Sequence, residues 1–156
     1  MNVLIGPYPD GDAKRQIEIR IDKFDTWSMD HTLALIIVPM LKQLKATKHG
    51  APYVNDEDAP EHLRSTAAPP KDNEWDTDAH HFKRWDWVLD EMIWAMEQIV
   101  DDDDDQFYDH SNVDESADLN TQLSQMKVDR TGLEDYHWRI QNGCRLFGKY
   151  FQSLWD

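Results

Sequence analysis

The sequence predicts a mainly α fold, an α+β domain in which three amphipathic helices pack as a bundle beside a small two- or three-stranded antiparallel β element. Three observations predict it. Apolar residues recur at helical spacing in three stretches, 28–48, 78–100 and 131–154. Isoleucines alternate with polar residues once, between Gln16 and Asp22. Seven tryptophans in 156 residues carry more buriable ring surface than a disordered acidic chain would. The length suits one domain, 1–156, which at this size buries roughly 70% of its unfolded surface and needs no disulfide.

In chain order, the alternation of Ile17, Ile19 and Ile21 with Glu18 and Arg20 reads as a half-buried strand. Its best partner is Gln125–Arg130, where Met126 and Val128 alternate, with Val3–Ile5 a weaker choice. The first helix should start at Ser28 or Asp30, either of which can accept from free first-turn donors, and run to Lys48. Its core face is Leu33, Ile36, Ile37, Met40, Leu41 and Leu44, while Lys42, Lys45 and Lys48 complement the negative end of its dipole and Gly50 caps it. Pro39 removes one backbone donor and crowds the carbonyl of Leu35, so it either kinks this helix or begins it.

The 27-residue connection 50–76 holds Pro52, Pro60, Pro69 and Pro70 and the acidic run Asn55-Asp56-Glu57-Asp58. It should carry at most one short helix, Pro60–Arg64, and be pinned by Tyr53, Leu63 and Trp75. Connections of this length often carry function. The second helix, 78–100, has a continuous stripe of Phe82, Trp85, Leu89, Met92, Ile93, Met96 and Val100. Trp87 and Trp94 widen that stripe into further core or into a subunit contact. Its other side carries Asp86, Asp90 and Glu97, which read as a solvated face.

Five consecutive aspartates, Asp101 to Asp105, open a polar stretch to Gln125 that lacks sustained periodicity. Like charges this close stay hydrated, so 101–125 should be an acidic mobile segment, with a turn of helix near Asn120–Met126. The third helix follows Leu133, Tyr136, Ile140, Cys144, Phe147, Phe151 and Leu154. Gly143 and Gly148 weaken it by ~1 kcal/mol each relative to alanine, a cost accepted where a neighbour, such as the tryptophans of the second helix, must come close.

Composition then excludes whole classes of function. Sixteen basic against 31 acidic residues leave a net charge of −15, which repels nucleic-acid backbones and anionic lipids and admits a basic protein partner. No apolar run approaches the ~20 residues of a membrane span, and no basic-then-apolar leader opens the chain, so neither a membrane anchor nor a signal peptide is expected. A single cysteine, Cys144, forms no internal disulfide and no zinc site built from four thiolates; a reducing compartment follows. On the core stripe it reads as packing rather than as a nucleophile.

Phosphate-binding glycine loops, the G-x-S-x-G elbow, H-E-x-x-H and the EF-hand pattern are all missing. His31, His80, His81 and His137 accompany carboxylates on three helices, and Glu134-x-x-His137 is half of a di-iron signature. The candidate metal ligands are His31, His80, Glu91 and His137, which would have to converge in one pocket to make a small metal-dependent enzyme. No cofactor is indicated.

Several stretches carry a resemblance: Asp25-Thr-Trp-Ser-Met-Asp-His-Thr, Pro39-Met-Leu-Lys-Gln-Leu-Lys, Asn73-Glu-Trp-Asp-Thr, Trp87-Val-Leu-Asp-Glu-Met-Ile-Trp-Ala and Asn142-Gly-Cys-Arg-Leu-Phe-Gly-Lys-Tyr. Together they resemble an uncharacterised family of small acidic proteins of tailed bacteriophages, notably marine and cyanobacterial myoviruses. The resemblance covers the helices and the 50–76 connection and is weakest over 101–125. It implies a viral source, in the cytoplasm of the infected bacterial host or in the virion, and contributes no catalytic residue.

The expectation is therefore a non-catalytic interaction or accessory protein that binds a basic host or viral protein through Asp56, Glu57, Asp58 and Asp101, Asp102, Asp103, Asp104, Asp105. An oligomeric structural subunit, burying Trp87, Trp94 or Trp155 against a second copy, is the third reading.

Overall fold

The computed structural model describes residues 1–11 and 13–155. Its elements run β1 (Asn2–Ile5), β2 (Ile17–Arg20), α1 (Met29–Thr47), α2 (His81–Asp101), β3 (Tyr108–Asp109), α3 (Leu119–Gln125), β4 (Lys127–Val128) and α4 (Arg130–Lys149), joined in part by single turns of 3-10 helix. The fold is mainly α with two separate antiparallel ribbons, β1–β2 and β3–β4.

The apolar stripe of the second predicted helix becomes the centre of the molecule. Trp85, Val88, Leu89, Met92 and Ala95 of α2 are inaccessible to solvent, and α1 and α4 both pack on this helix. Burying side chains of this kind stabilises by about 1.5–3 kcal/mol each. Leu41 from α1, Leu146 and Tyr150 from the end of α4, and Val54 from the 50–76 connection close the same cluster.

Gly143 sets how closely α4 approaches. A Cβ there would stand 2.3 Å from the Cβ of Ala95 and 2.6 Å from the carbonyl oxygen of Glu91, so only hydrogen fits. The close neighbour is thus the α2 backbone and a small side chain, not a tryptophan ring. Gly148 has no such neighbour within 4 Å.

Between α1 and α2 runs a row of ion pairs: Lys42 to Glu97 at 2.6 Å, Lys45 to Asp90, and Lys48 to Asp86 at 2.5 Å. The carboxylates expected to form a solvated face of α2 therefore meet the lysines of α1. Each exposed pair contributes under about 1 kcal/mol, so the row specifies how the helices face more than how stable they are.

Several local expectations are corrected. β2 pairs with β1, the weaker choice, in the register Val3↔Ile19 and Ile5↔Ile17, whereas Lys127–Val128 pairs with Tyr108–Asp109. Each ribbon pairs strands that are consecutive in the chain, and alternation alone does not identify the partner. α1 passes through Pro39 without a break, so Pro39 does not start it. Ser28 occupies its N-cap but makes no side-chain bond there. The third helix ends at Lys149 and gives way to a 3-10 turn, Phe151–Ser153, short of the predicted Leu154.

In the connection, Tyr53 and Trp75 are 71% and 92% exposed and pin nothing; Val54, Asp58 and Ala59 are the buried residues. Three 3-10 turns, Asp56–Asp58, Glu61–Leu63 and Ser65–Ala67, replace the single short helix expected there. Among the described residues, no helix is long and apolar enough to cross a membrane.

Candidate functional site

The acidic residues expected to meet a partner divide into two groups with opposite fates. In the connection, the 3-10 turn at Asp56–Asp58 turns Asp58 inward onto the last turns of α4. Its side chain is fully buried, with Arg145 at 2.8 Å, Lys149 at 2.5 Å and the Tyr150 hydroxyl donating to it at 2.6 Å. Burial opposes charge on Asp58, yet the bonds from Lys149, Tyr150 and Arg145 outweigh it and hold the carboxyl below its usual range. The same burial, together with the neighbouring Asp58 carboxylate, pushes the Tyr150 phenol up to about 12. Tyr150 also accepts from the Asn55 backbone N–H at 3.1 Å, so one hydroxyl ties the connection to α4 twice.

Asp58 is thus not available to a partner. Its neighbours are also engaged: Asp56 accepts from the Ser65 N–H at 2.7 Å, and exposed Glu57 pairs with Lys149 at 2.9 Å. A signal for this arrangement exists in the sequence. Arg145 and Lys149, four apart beside Tyr150, place two cations on one side of a helix and call for a carboxylate from elsewhere. A second pin lies at the far end of the connection, where buried Arg84 binds both oxygens of Asp78, at 3.0 and 2.6 Å, and donates to the Leu63 carbonyl at 2.9 Å. The Arg84 guanidinium lowers the Asp78 carboxyl to about 2.

Asp101 to Asp105 differ on every count. Four of the five are exposed, and among the described residues none of the five carboxylates has an ion pair or a side-chain hydrogen bond. Asp101 ends α2 and the other four follow it, at the end where the helix's backbone dipole is negative. Asp102, with φ of 47°, is the one non-glycine residue in the left-handed region among the described residues. The run reaches electrostatically towards α4: the Tyr136 phenol is raised first by burial and then by Asp103, Asp104, Asp101 and Asp102.

Beyond the run, the chain closes on itself through aspartate-capped turns. Asp109 accepts from the Ser111 N–H at 2.9 Å, Asp114 from the Ser116 N–H at 3.0 Å, and Asp118 caps α3. No residue of 101–125 is buried.

The histidine-centred alternative does not assemble. Among the described residues, no group of three His, Cys, Asp or Glu side chains is placed to hold a metal ion. Glu91 is consumed by a two-point bond from Arg139, at 2.7 and 3.1 Å, and the Arg139 guanidinium also lies 3.9 Å over the Trp94 ring. His137 is exposed on α4 beside Tyr136, and His81 points its Nε2 at the Ala51 carbonyl, 3.0 Å away. Burial raises the Cys144 thiol, which suits packing and not nucleophilic attack. A recess of about 490 Å³ between α1 and the end of α4 is lined by Ile37, Met40, Leu41, Leu44, Phe147 and their apolar neighbours, with no titratable group in its wall. It lacks the convergent polar groups of a catalytic pocket.

The N-terminal ribbon carries a feature that the sequence reading passed over. Its register places Val3, Ile5, Ile17 and Ile19 on one face, and Asn2, Leu4, Glu18 and Arg20 on the other. The apolar face is uncovered: Val3, Ile5, Ile17 and Ile19 are 37–61% exposed. No described residue before Ala34 is buried. Alternation announced an apolar face here, but only the structure shows that the helices leave it bare.

Comparison with known proteins finds no matching family, no matching curated protein and no matching solved structure.

Proposed function

We propose that the chain is a phage-encoded, acidic interaction protein without catalytic activity, which captures a basic protein in the infected bacterial cytoplasm or within the virion. The observation that carries this reading is the run Asp101–Asp105, five carboxylates unmatched by any cation among the described residues and set at and just beyond the negative end of α2. They crowd the negative end of the α2 dipole, they repel one another, and Asp102 occupies a backbone conformation that glycine or asparagine adopts at lower cost.

Stability alone favours lysine and glycine at these positions. Violations of local preference gathered at one place are the mark of a residue kept for another purpose. Elsewhere the body matches its charges internally: Lys42, Lys45, Lys48, Arg84, Arg139, Arg145 and Lys149 all pair with carboxylates of the same chain. The residual field is therefore negative, and it steers a cationic surface towards the α2 terminus. The viral source rests on the sequence resemblance described above.

The test is capture from bacterial lysate on the immobilised wild-type chain and on a variant with Asp101 to Asp105 all changed to asparagine. The wild type should retain basic proteins in amounts that fall as salt rises, and the variant should lose them while keeping its helical circular dichroism. Equal retention by both chains would overturn the reading.

A further inference from the structure

From the N-terminal ribbon we infer a second interaction, distinct from the acidic one: the apolar face of β1–β2 is a self-association surface that takes the same face of a second copy of this chain. The inference goes beyond the capture of a basic partner and does not depend on it.

Two arguments select a second copy as the occupant. The first is charge. Residues 1–27 contain four Lys or Arg and five Asp or Glu, a net −1, while residues 28–156 contain 12 and 26, a net −14. The ribbon is a nearly neutral part of the molecule, where two copies can meet without bringing their acidic surfaces together. A basic partner gains nothing electrostatically there, whereas an identical apolar face is complementary by symmetry.

The second argument is area. Val3, Ile5, Ile17 and Ile19, with Ile21 continuing the alternation at 56% exposure, present on the order of 450 Å² of accessible surface, close to the largest apolar patch a monomer usually leaves bare. Two such faces stacked as a two-layer sandwich bury about 900 Å², just under the ~1,000 Å² of a specific interface, so the pair is a weak, concentration-dependent dimer. The ribbon itself needs such a cover, since a lone two-stranded hairpin is marginal in water.

The sign of the salt dependence separates this contact from the acidic one. Dimerisation brings two molecules of net −15 together, so added salt screens their repulsion and strengthens the pair, whereas salt weakens capture of a basic protein.

Analytical ultracentrifugation of the full chain from roughly 10 µM to roughly 1 mM, at low and high salt, tests the proposal. The average mass should climb from 18.4 kDa towards twice that value, further at high salt. Ile17→Lys combined with Ile19→Lys should hold the mass at the monomer throughout, with helical circular dichroism unchanged because no described residue of the ribbon is buried against the helices. Leu4→Gln, on the opposite face, should dimerise as the wild type does. A wild type that stays monomeric at every concentration would overturn the inference, as would association that the lysine pair leaves intact or that Leu4→Gln also abolishes. None of these outcomes touches the Asp101–Asp105 reading, which the asparagine variant tests separately.

Discussion

Two long acidic connections join the helices, and they use their carboxylates in opposite ways. Segment 50–76 sends Asp58 into the core, where Arg145, Lys149 and Tyr150 surround it, and clamps its far end with Arg84 and Asp78. Segment 101–125 buries nothing, holds itself together with turns capped by its own aspartates, and leaves its first five without a partner among the described residues. Both are acidic and polar. What differs is whether another element offers cations at the right height, and that decides whether an acidic residue becomes a structural pin or a free surface charge.

The contrast is sharpest at Asp58. Asp58→Ala should cost about 3 kcal/mol in denaturant unfolding, because a buried tyrosine hydroxyl and two cations lose their shared acceptor. Alanine at Asp101, Asp103, Asp104 or Asp105 should cost nothing measurable. A loss at Asp58 below about 0.5 kcal/mol, the scatter of ordinary surface changes, would break the distinction between the two segments.

Acid separates them next. The folded-state pKa of Asp78, about 2, lies below its ordinary value of 3.8, so its stabilisation is complete above about pH 4 and is lost as pH falls through 2. That loss amounts to about 2 kcal/mol. It should appear as a falling denaturation midpoint over this window in the wild type, and the corresponding slope should shrink in Asp78→Asn. A slope unchanged by the substitution would show that Arg84 does not hold the carboxylate as described.

The smallest effect has the opposite sign. Asp102→Gly should stabilise by about 1 kcal/mol, since glycine adopts the left-handed cap of α2 without the Cβ penalty and removes a charge from the negative end of the helix. Thermal unfolding measures it. A destabilised variant would mean that the Asp102 carboxylate makes a contact that matters to the fold.

These differences also mark how far the sequence could be read. The stripes of α1, α2 and α4 were legible because helical periodicity is a local property, and a turn of helix at Leu119–Gln125 was expected as well, although its stretch lacks sustained periodicity. The partner of β2 was not, since alternation identifies a face without saying which strand lies beside it. Nor was the burial of Asp58, because an acid flanked by acids reads as solvated until Arg145 and Lys149, far along the chain, are folded against it. Asp86, Asp90 and Glu97 stay partly exposed, as a solvated face does, but their pairing with the lysines of α1 was not legible, for the same reason. The exposure of the Asp101–Asp105 run could be read directly, because a charge that finds no partner behaves as its local sequence suggests.

The pinning of Asp58 by the end of α4 also has a consequence in time. Its carboxylate emerges from the ribosome 92 residues before Tyr150 does. Until that end is synthesised, Asp58 keeps its water, the 50–76 connection has nothing to dock on, and the inner side of α2 lacks its second cover. The α1–α2 pair can form early, guided by its row of lysines and carboxylates. Completion waits for the last turns of α4, so a ribosome stalled before Arg145 would hold a helical hairpin with an open core, a form ready to be bound by chaperones or cut by proteases.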